Sequence, residues 1–464
     1  MLKTFGNIFK IPDLKKKVLF TLFIVFVYRL GCHVPIPFID AEAMNNFWAN
    51  QFGSQGLFNI IDMFSGRAFK QMTVFALGIM PYITASIIIQ LLMVVWPYLE
   101  KIAKEGEIGQ KKINQYTRYG TVAIAAFQSL GVSFMMLGSD LTTLSDHKFL
   151  FVLCTMMTMT TGTTLIMWLG EKITESGIGN GISIIIAVGI MASYPMDVAL
   201  SIDMMRQGHL NPMWFVVILV LFVLLSVLII MMHDGTRRIP IQHAKRIVGR
   251  RVMSGSTTYL PLKVNQAGVI PVIFSAAILS FIGLLLSFVS RVFDWGFLTK
   301  LTNFTDMTSQ YNLYNMLGMD MRGAALLLRS INFYTIFYSL ATIFFCFFYT
   351  AITFNPIDTA ENLKKYGAFI PGRRQGKPTS DHIDFILTRL TLVGSIFLVG
   401  IALLPMVLNI SFNVPWVLTD LIGGVGLIIV VDVFLETMKQ VESQLLMRHY
   451  EGFSLRKKGR TGRW

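Results

Sequence analysis

The chain has 464 residues, of which 54% are hydrophobic and only 14% are charged, and its formal net charge is +14. Because charged residues make up about a quarter of an average soluble domain, this composition excludes an ordinary soluble protein and indicates an integral membrane protein. The three cysteines, Cys32, Cys154 and Cys346, lie far apart in or near apolar stretches. This spacing predicts neither a disulfide framework nor a metal site.

Ten apolar stretches follow one another along the chain. Most approach the roughly 20 residues that a helix needs to cross the hydrocarbon core of a bilayer. The sequence therefore predicts ten transmembrane helices, over Val18–Phe38, Met72–Trp96, Thr117–Leu137, Phe149–Leu169, Gly181–Pro195, Pro212–His233, Val264–Ser290, Ile331–Phe354, Phe385–Leu408 and Pro415–Met438.

The basic residues predict the orientation of these spans. If the N-terminus is cytoplasmic, 31 of the 40 Lys and Arg residues fall on the cytoplasmic side. Loops rich in Lys and Arg remain in the cytoplasm, so we expect an even number of spans and cytoplasmic termini. The first span is longer than the apolar core of a signal peptide and no small-residue cleavage site follows it, so we expect it to be retained.

The spans divide into two sets of five. Because five is odd, two related halves would insert in opposite senses, which is the inverted arrangement common in channels and transporters. We expect an N-terminal part (residues 1–233) with spans one to five plus the sixth, followed by a basic cytoplasmic loop (234–263). A part with spans seven to ten (264–438) includes a second basic cytoplasmic loop (355–384), and a cytoplasmic tail (439–464) ends the chain.

A short amphipathic segment, Leu57–Phe69, follows the first span. Its apolar residues share one helical face: Leu57, Ile60, Ile61, Phe64 and Ala68. The segment is too short to cross a bilayer. The pattern alone allows two interpretations, an interfacial helix that lies flat on the membrane and a re-entrant helix that fills a cavity.

Charged side chains are absent from the central parts of the second to ninth spans. A pump or an ion-coupled carrier usually places Asp, Glu, His or Lys there, and we find no catalytic constellation in the sequence. This pattern favours a passive conduit or a scaffold over an enzyme, with the basic loops available to cytosolic partners.

Five segments carry long and specific motifs. They are Phe75–Gln90 (FALGIMPYITASIIIQ), Gly106–Tyr119 (GEIGQKKINQYTRY), Trp168–Ile186 (WLGEKITESGIGNGISIII), Leu260–Ile273 (LPLKVNQAGVIPVI) and Phe345–Phe369. In these segments the chain closely resembles the SecY family, the pore-forming subunits of bacterial protein-translocation channels, and the resemblance runs from the first span to the last. It implies two five-helix halves that close like a clamshell around an hourglass-shaped pore.

The resemblance assigns roles to particular residues. It implies a constriction made of a ring of isoleucines, and it identifies Leu57–Phe69 with the plug helix that blocks the pore at rest, which favours the cavity-filling interpretation. The second and seventh spans correspond to a lateral gate to lipid, with polar residues that are expected to hydrogen-bond across the closed seam. The matching positions are Ile79, Ile83, Ile186, Ile273 and Ile429 for the ring, and Thr84, Gln128 and Asn265 for the gate.

The resemblance also implies partners. Small membrane subunits resembling SecE and SecG would accompany the chain, and the basic loops would bind the SecA motor ATPase and ribosomal RNA. The expected contact residues are Lys245, Arg246, Arg250, Arg251, Arg373 and Arg374. The family usually has Pro after the arginine that corresponds to Arg374, whereas this chain has Gln375, so we expect a less rigid loop.

These features together predict an all-α polytopic membrane protein of ten transmembrane helices in two inverted five-helix halves around a central pore. The predicted function is that of a channel subunit, without catalysis or cofactor, in the bacterial cytoplasmic membrane. It would move unfolded secretory polypeptides and release signal sequences and other apolar segments of nascent polypeptides sideways into membrane lipids. The alternative is an inverted-repeat secondary transporter of a small solute.

Overall fold

The computed structural model describes residues 11–39, 44, 57–137, 147–243, 246–248, 251–253, 257–293, 332–412 and 414–458. Within these ranges the chain is mostly helical, which confirms the predicted fold class. The helices are α1 (Pro12–Gly31), α2 (Leu57–Ser65), α3 (Met80–Val95), α4 (Pro97–Lys104), α5 (Glu107–Leu137), α6 (Lys148–Ser176), α7 (Gly181–Met191), α8 (Tyr194–Arg206), α9 (Pro212–Asp234), α10 (Ile270–Phe293), α11 (Phe333–Thr353), α12 (Pro356–Lys365), α13 (Lys377–Phe412), α14 (Trp416–Ile422) and α15 (Val425–Lys458).

Each of the ten predicted spans overlaps at least one of these helices. Within the described ranges, seven helical stretches are long and apolar enough to cross a membrane, and α3 with α4 forms an eighth as a bent pair. The two other spans correspond to α10, whose apolar portion is shorter, and to α1, which has charged residues near both ends. The chain is therefore a multi-pass membrane protein.

Asparagine and proline together start two of the helices. Asn211 precedes Pro212 at the start of α9, and its side-chain oxygen accepts a hydrogen bond from the Met213 N–H at 3.0 Å. Asn355 and Pro356 start α12 in the same way. Such a cap satisfies a backbone donor that the first turn leaves unpaired, and proline fits the first helical position because it has no N–H to lose.

The helix of the second span begins later than its apolar stretch. Residues 66–79 form turns, and α3 starts only at Met80, after Gly78 with its positive φ of 55°. At the other end Trp96 is extended because Pro97 follows, and the chain bends by 100° into α4. Hydropathy marks these residues as apolar but does not report where the backbone turns.

The two long basic connections fold together. The first forms strands β1 (Thr236–His243), β2 (Arg246–Val248), β3 (Arg251–Met253) and β4 (Thr257–Lys263), and the second contributes β5 (Ala368–Phe369). β1 lies between β4 and β5 and pairs antiparallel with both. We call β4, β1 and β5 the loop sheet; the sequence patterns did not predict it.

The loop sheet rests on the base of α13. Ile239, Leu262 and Ile370 form an apolar cluster with Ile383 and Leu387 of that helix. The two connections are therefore one structural unit attached to the start of the ninth span.

The helices surround a buried centre. α10 packs against α3, α5 and α11, α15 packs against α7 and α9, and α14 packs against α8, α9 and α13. The short helix α2 lies inside this arrangement, in contact with α3, α7 and α10.

Candidate functional site

The five predicted ring isoleucines are all buried. Their exposed fractions range from 0% to 7%, and all five belong to one apolar cluster. Ile79 caps the N-terminus of α3 and Ile83 lies one turn into that helix, while the others come from α7, α10 and α15. Four separate helices thus contribute these residues to the apolar cluster.

A cavity of about 110 Å³ lies on one side of the isoleucines. Three of its lining residues stand one helical turn from three of the isoleucines, on the same helices. The pairs are Ile186 and Ile190 on α7, Ile273 and Ala276 on α10, and Ile429 and Val425 on α15. Along the chain, the lining residue follows the isoleucine on α7 and α10 but precedes it on α15. Because all three lining residues face one cavity, α15 runs in the opposite direction to α7 and α10, as the alternation of spans requires.

The predicted plug segment, residues 57–69, occupies the interior next to this cavity. Phe64 is 1% exposed and Ala68 is 0% exposed, and both belong to the same cluster as the isoleucines. Ile61, at 2% exposed, joins an adjacent cluster. Leu57 and Ile60 begin α2, but their side chains lie outside the described part of the chain. The position of α2 among three helices corresponds to the cavity-filling interpretation, not to an interfacial helix.

The turn after α2 needs glycine. Gly66 has a φ of 67°, and an added Cβ would lie only 2.9 Å from the Cα atom of Gly189 on α7. From the other side, the Tyr28 hydroxyl donates to the Ser65 carbonyl at 3.3 Å, and Arg29 Nη1 donates to the Gly66 carbonyl at 3.1 Å. The end of α2 is therefore held between α1 and α7.

Charged side chains line the same cavity. Arg67 forms an ion pair with Asp197 of α8, whose side chain is 5% exposed. Lys70 Nζ lies 3.6 Å from Asp62 Oδ2, and the Lys70 N–H donates to Asp62 Oδ1 at 2.9 Å. Asp420 of α14 also lines the cavity. Despite these acids, no group of three or more His, Cys, Asp or Glu suited to a metal ion occurs in the ranges the structure describes.

Sequence reasoning missed this charged cluster. Its members come from three distant parts of the chain, and local periodicity does not report such a meeting. A partial signal existed, because Arg67 and Lys70 are two of the nine Lys and Arg residues predicted to lie outside the cytoplasm. Both are within or directly beside the plug segment.

At the predicted lateral gate, α10 lies against α3 and α5. Thr84 Oγ1 donates to a backbone carbonyl of its own helix at 3.0 Å, and Asn265 Nδ2 donates to the Gly268 carbonyl at 2.9 Å. Gln128 lines a small, largely apolar cavity with Ser280 of α10. The hydrogen bonds of Thr84 and Asn265 are thus local, and among the residues that the structure describes no bond from these two crosses the seam.

The predicted docking arginines Arg373 and Arg374 are exposed in the second connection. Gln375 Nε2 donates to the Ala368 carbonyl at 3.2 Å, and Thr379 Oγ1 donates to the Arg374 carbonyl at 2.7 Å. Gln375 therefore attaches this loop to β5, where a looser loop was expected, because its amide supplies a donor that proline lacks.

The other docking residues lie in the first connection. Arg246 is in β2 and Arg251 in β3, and these strands pair antiparallel with Val248 opposite Arg251. Lys245 and Arg250 lie outside the described residues.

Comparisons with known proteins identify the family. The family model named SecY matches residues 73–438. The protein translocase subunit SecY of Streptomyces coelicolor is 44% identical over 98% of this chain and 100% of its own length. The protein of the same name from Escherichia coli K12 is 42% identical over 95% of this chain and 93% of its own length.

Solved structures agree in fold. A protein-conducting channel superposes with a TM-score of 0.59 at 18% identity, covering 92% of both chains. Sec61 in a canine ribosome–channel complex from the endoplasmic reticulum gives a TM-score of 0.57 at 15% identity, again covering 92% of both chains. With the family model matched over most of its length, and with relatives this similar, the chain belongs to the SecY family.

Proposed function

We propose that this chain is the pore subunit of a protein-conducting channel that moves unfolded secretory polypeptides across a membrane. Its relatives over nearly the whole length carry the name protein translocase subunit. The observation that carries the proposal is the buried apolar cluster that contains five isoleucines from four helices together with Phe64 of the plug helix α2, which packs against three of those helices.

An apolar constriction suits a channel for polypeptides. A narrow hydrophobic ring sheds water and so resists the passage of ions. It also forms no directional bonds with the chain in transit, so side chains of many kinds can slide past it. The plug helix fills the space beside the ring at rest, and the energy for movement comes from partners instead of from catalysis by this chain.

The seam between α3 and α10 provides the sideways exit. Because Thr84 and Asn265 hydrogen-bond locally, opening this seam breaks none of their described bonds. An apolar segment that enters lipid gains about 0.8 kcal/mol for each buried methylene group. A signal sequence therefore has enough transfer free energy to compete with the apolar packing that closes the seam.

The loop sheet and its flanking basic residues are the proposed docking side. Positive loops remain in the cytoplasm, which puts both termini and this sheet on the cytoplasmic face of a bacterial inner membrane. Exposed Arg373 and Arg374 would contact a SecA-like motor ATPase, and the basic hairpin of the first connection would contact ribosomal RNA phosphates, with an affinity that falls as salt rises. SecE-like and SecG-like subunits would complete the channel in the membrane.

A secondary transporter of a small solute is the competing assignment. Such a carrier needs ionisable coupling groups near the middle of the bilayer. The acids Asp62 and Asp197 are buried, but each is paired with a cation at the cavity side of the ring. This pairing favours a structural role for these charges over ion coupling.

The ring is tested by ion leak from vesicles that contain the purified chain with its membrane companions. Replacing Ile83 and Ile273 with Ser should raise the resting conductance, because polar groups let water enter the constriction. The matched control replaces Ile88 and Ile282 with Ser, since these lie on the same two helices but are 38% and 40% exposed. Equal conductance in the two variants would refute the ring assignment.

The translocation function is tested with the same vesicles. With a motor ATPase and a secretory precursor added, protease-protected precursor should accumulate in the wild-type vesicles. If the motor binds but no precursor becomes protected, while a small solute is taken up, the transporter assignment replaces the channel.

A further inference from the structure

Two pairs of ionisable side chains join the end of α9 to α15. His233 Nδ1 donates to Asp432 Oδ1, and each of these side chains is only 12% exposed. Lys439 Nζ donates to Asp234 Oδ1 at 2.7 Å, where the side chains are 47% and 49% exposed. We call His233–Asp432 the inner pair and Asp234–Lys439 the outer pair. Because water screens exposed charges, the outer pair contributes little to stability, whereas the inner pair is shielded.

The two pairs meet α15 at different distances from the ring. Asp432 follows the ring residue Ile429 by three residues, which is about 4.5 Å along the helix. Lys439 follows Ile429 by ten residues, which is about 15 Å. Ile429 is 0% exposed and Asp432 is 8% exposed. The inner pair therefore lies in the packed interior, about one helical turn from the constriction.

Asp432 also lies against the turn that starts α10, the helix of the ring residue Ile273. Gly268 in this turn has a φ of 64°, and a Cβ added there would lie 3.5 Å from Asp432 Oδ2. The Asn265 side chain closes the turn by donating to the Gly268 carbonyl at 2.9 Å. One carboxylate oxygen of Asp432 thus binds the end of α9, and the other faces the entrance to α10.

Resting on the proposed channel function, we propose that Asp432 is a positioning residue for the ring. Held by His233, its carboxylate joins α15 to the end of α9 and supports the turn before α10, and so keeps Ile429 and Ile273 at the constriction. Loss of His233 leaves a buried carboxylate without its donor, which is strongly unfavourable. The carboxylate then draws water toward it, one turn from a ring that must exclude water.

Ion leak from vesicles tests this role. His233→Leu removes the donor of the inner pair, and the resting conductance should rise about 10- to 100-fold, the range for losing one hydrogen bond to a charged group. Lys439→Leu is the matched control, because it removes the donor of the outer pair between the same two helices, and it should stay within about twofold of the wild type. Equal conductance in these two variants would overturn the proposal.

A double variant tests whether the pairing itself matters. His233→Gln with Asp432→Asn replaces the inner pair by two amides that can hydrogen-bond to each other without a buried charge, so it should recover most of the seal. A double variant as leaky as His233→Leu would overturn the proposal, because the leak would then not depend on an unpaired carboxylate.

Hydrogen exchange on the full chain in lipid nanodiscs supplies a readout that needs no conductance. The Gly235 N–H at the end of α9 and the Val272 and Ile273 N–H groups at the start of α10 are hydrogen-bonded. In the His233→Leu variant these amides should exchange about 10- to 100-fold faster, and in the Lys439→Leu variant they should stay within about twofold. Equal exchange in the two variants would show that the inner pair does not hold these elements, and would overturn the proposal.

The two readouts separate this inference from the channel function. If precursor is protected normally in wild-type vesicles but His233→Leu conducts no more than the control, the positioning role fails and the channel function stands. If wild-type vesicles protect no precursor, the channel function fails, and hydrogen exchange still decides whether Asp432 holds α9, α10 and α15 together.

Discussion

Truncating Phe64 should loosen the plug, and a native cysteine can report it. Phe64 is 1% exposed inside the cluster that contains the isoleucines. Cys32 is 2% exposed, and its Sγ lies 4.0 Å from the Ser65 carbonyl at the end of α2. A local opening that lifts this end of the plug exposes the Cys32 thiol.

The size of the effect follows from the lost packing. Replacing a buried Phe with Ala costs about 3 to 5 kcal/mol, because transfer free energy is lost and a cavity remains. If the substitution destabilises only the seated plug, and by the lower figure of about 3 kcal/mol, the fraction of molecules with an open plug rises about 100-fold. Phe64→Leu keeps most of the volume and should raise it by about tenfold at most.

The assay is the rate of labelling of Cys32 by a water-soluble maleimide added to the full chain in nanodiscs. When opening and closing are fast, this rate follows the open population. Mass spectrometry of the labelled peptides separates Cys32 from Cys154 and Cys346, which serve as internal references. Phe344→Ala is the control, since Phe344 is 57% exposed. If Phe64→Ala labels Cys32 no faster than Phe344→Ala does, Phe64 does not hold the plug.

Two further predictions concern the loops and the helix contacts. Arg374→Glu should lower motor-driven export by about tenfold or more through charge reversal at an exposed contact, measured as protected precursor with membrane insertion as the reference. Gln375→Ala, which loses only the bond to Ala368, should have a smaller effect; a larger one would contradict direct contact by Arg374. Gly162→Ala should cost about 1 to 3 kcal/mol of stability from overpacking and lower the thermal midpoint, because the new Cβ would lie 2.0 Å from the Val74 carbonyl oxygen. Gly400→Ala, with no atom within 4 Å of its added Cβ, should not, and equal midpoints would refute the reasoning.

Much of the fold was readable because membrane insertion depends on local composition. A helix must be apolar along its own length to cross lipid, so each of the ten apolar stretches marked a helix correctly. The ends of the helices were harder to predict from the sequence. The late start of α3 after Gly78 and the break at Gly423 between α14 and α15 depend on backbone conformation inside apolar sequence, which hydropathy averages away.

The candidate site was readable only in part. The isoleucines were identified from motifs that resemble a family, since a single Ile in a membrane helix carries no signal that distinguishes a pore from lipid. The gate roles of Thr84 and Asn265 stay predictions, and both side chains form local hydrogen bonds where bonds across the seam were expected. A short polar side chain on a helix can bond to its own backbone as well as across an interface, and sequence alone does not distinguish the two.

The sequence by itself determined that this is a multi-pass membrane protein of the SecY family, because composition, apolar length and long motifs are local properties of the chain. Only the tertiary structure decided which distant residues meet. The pairing of Arg67 with Asp197 and the attachment of β5 to β1 both join segments that are separated by a hundred or more residues. Such contacts depend on how whole helices pack, and no periodicity within a single helix encodes them.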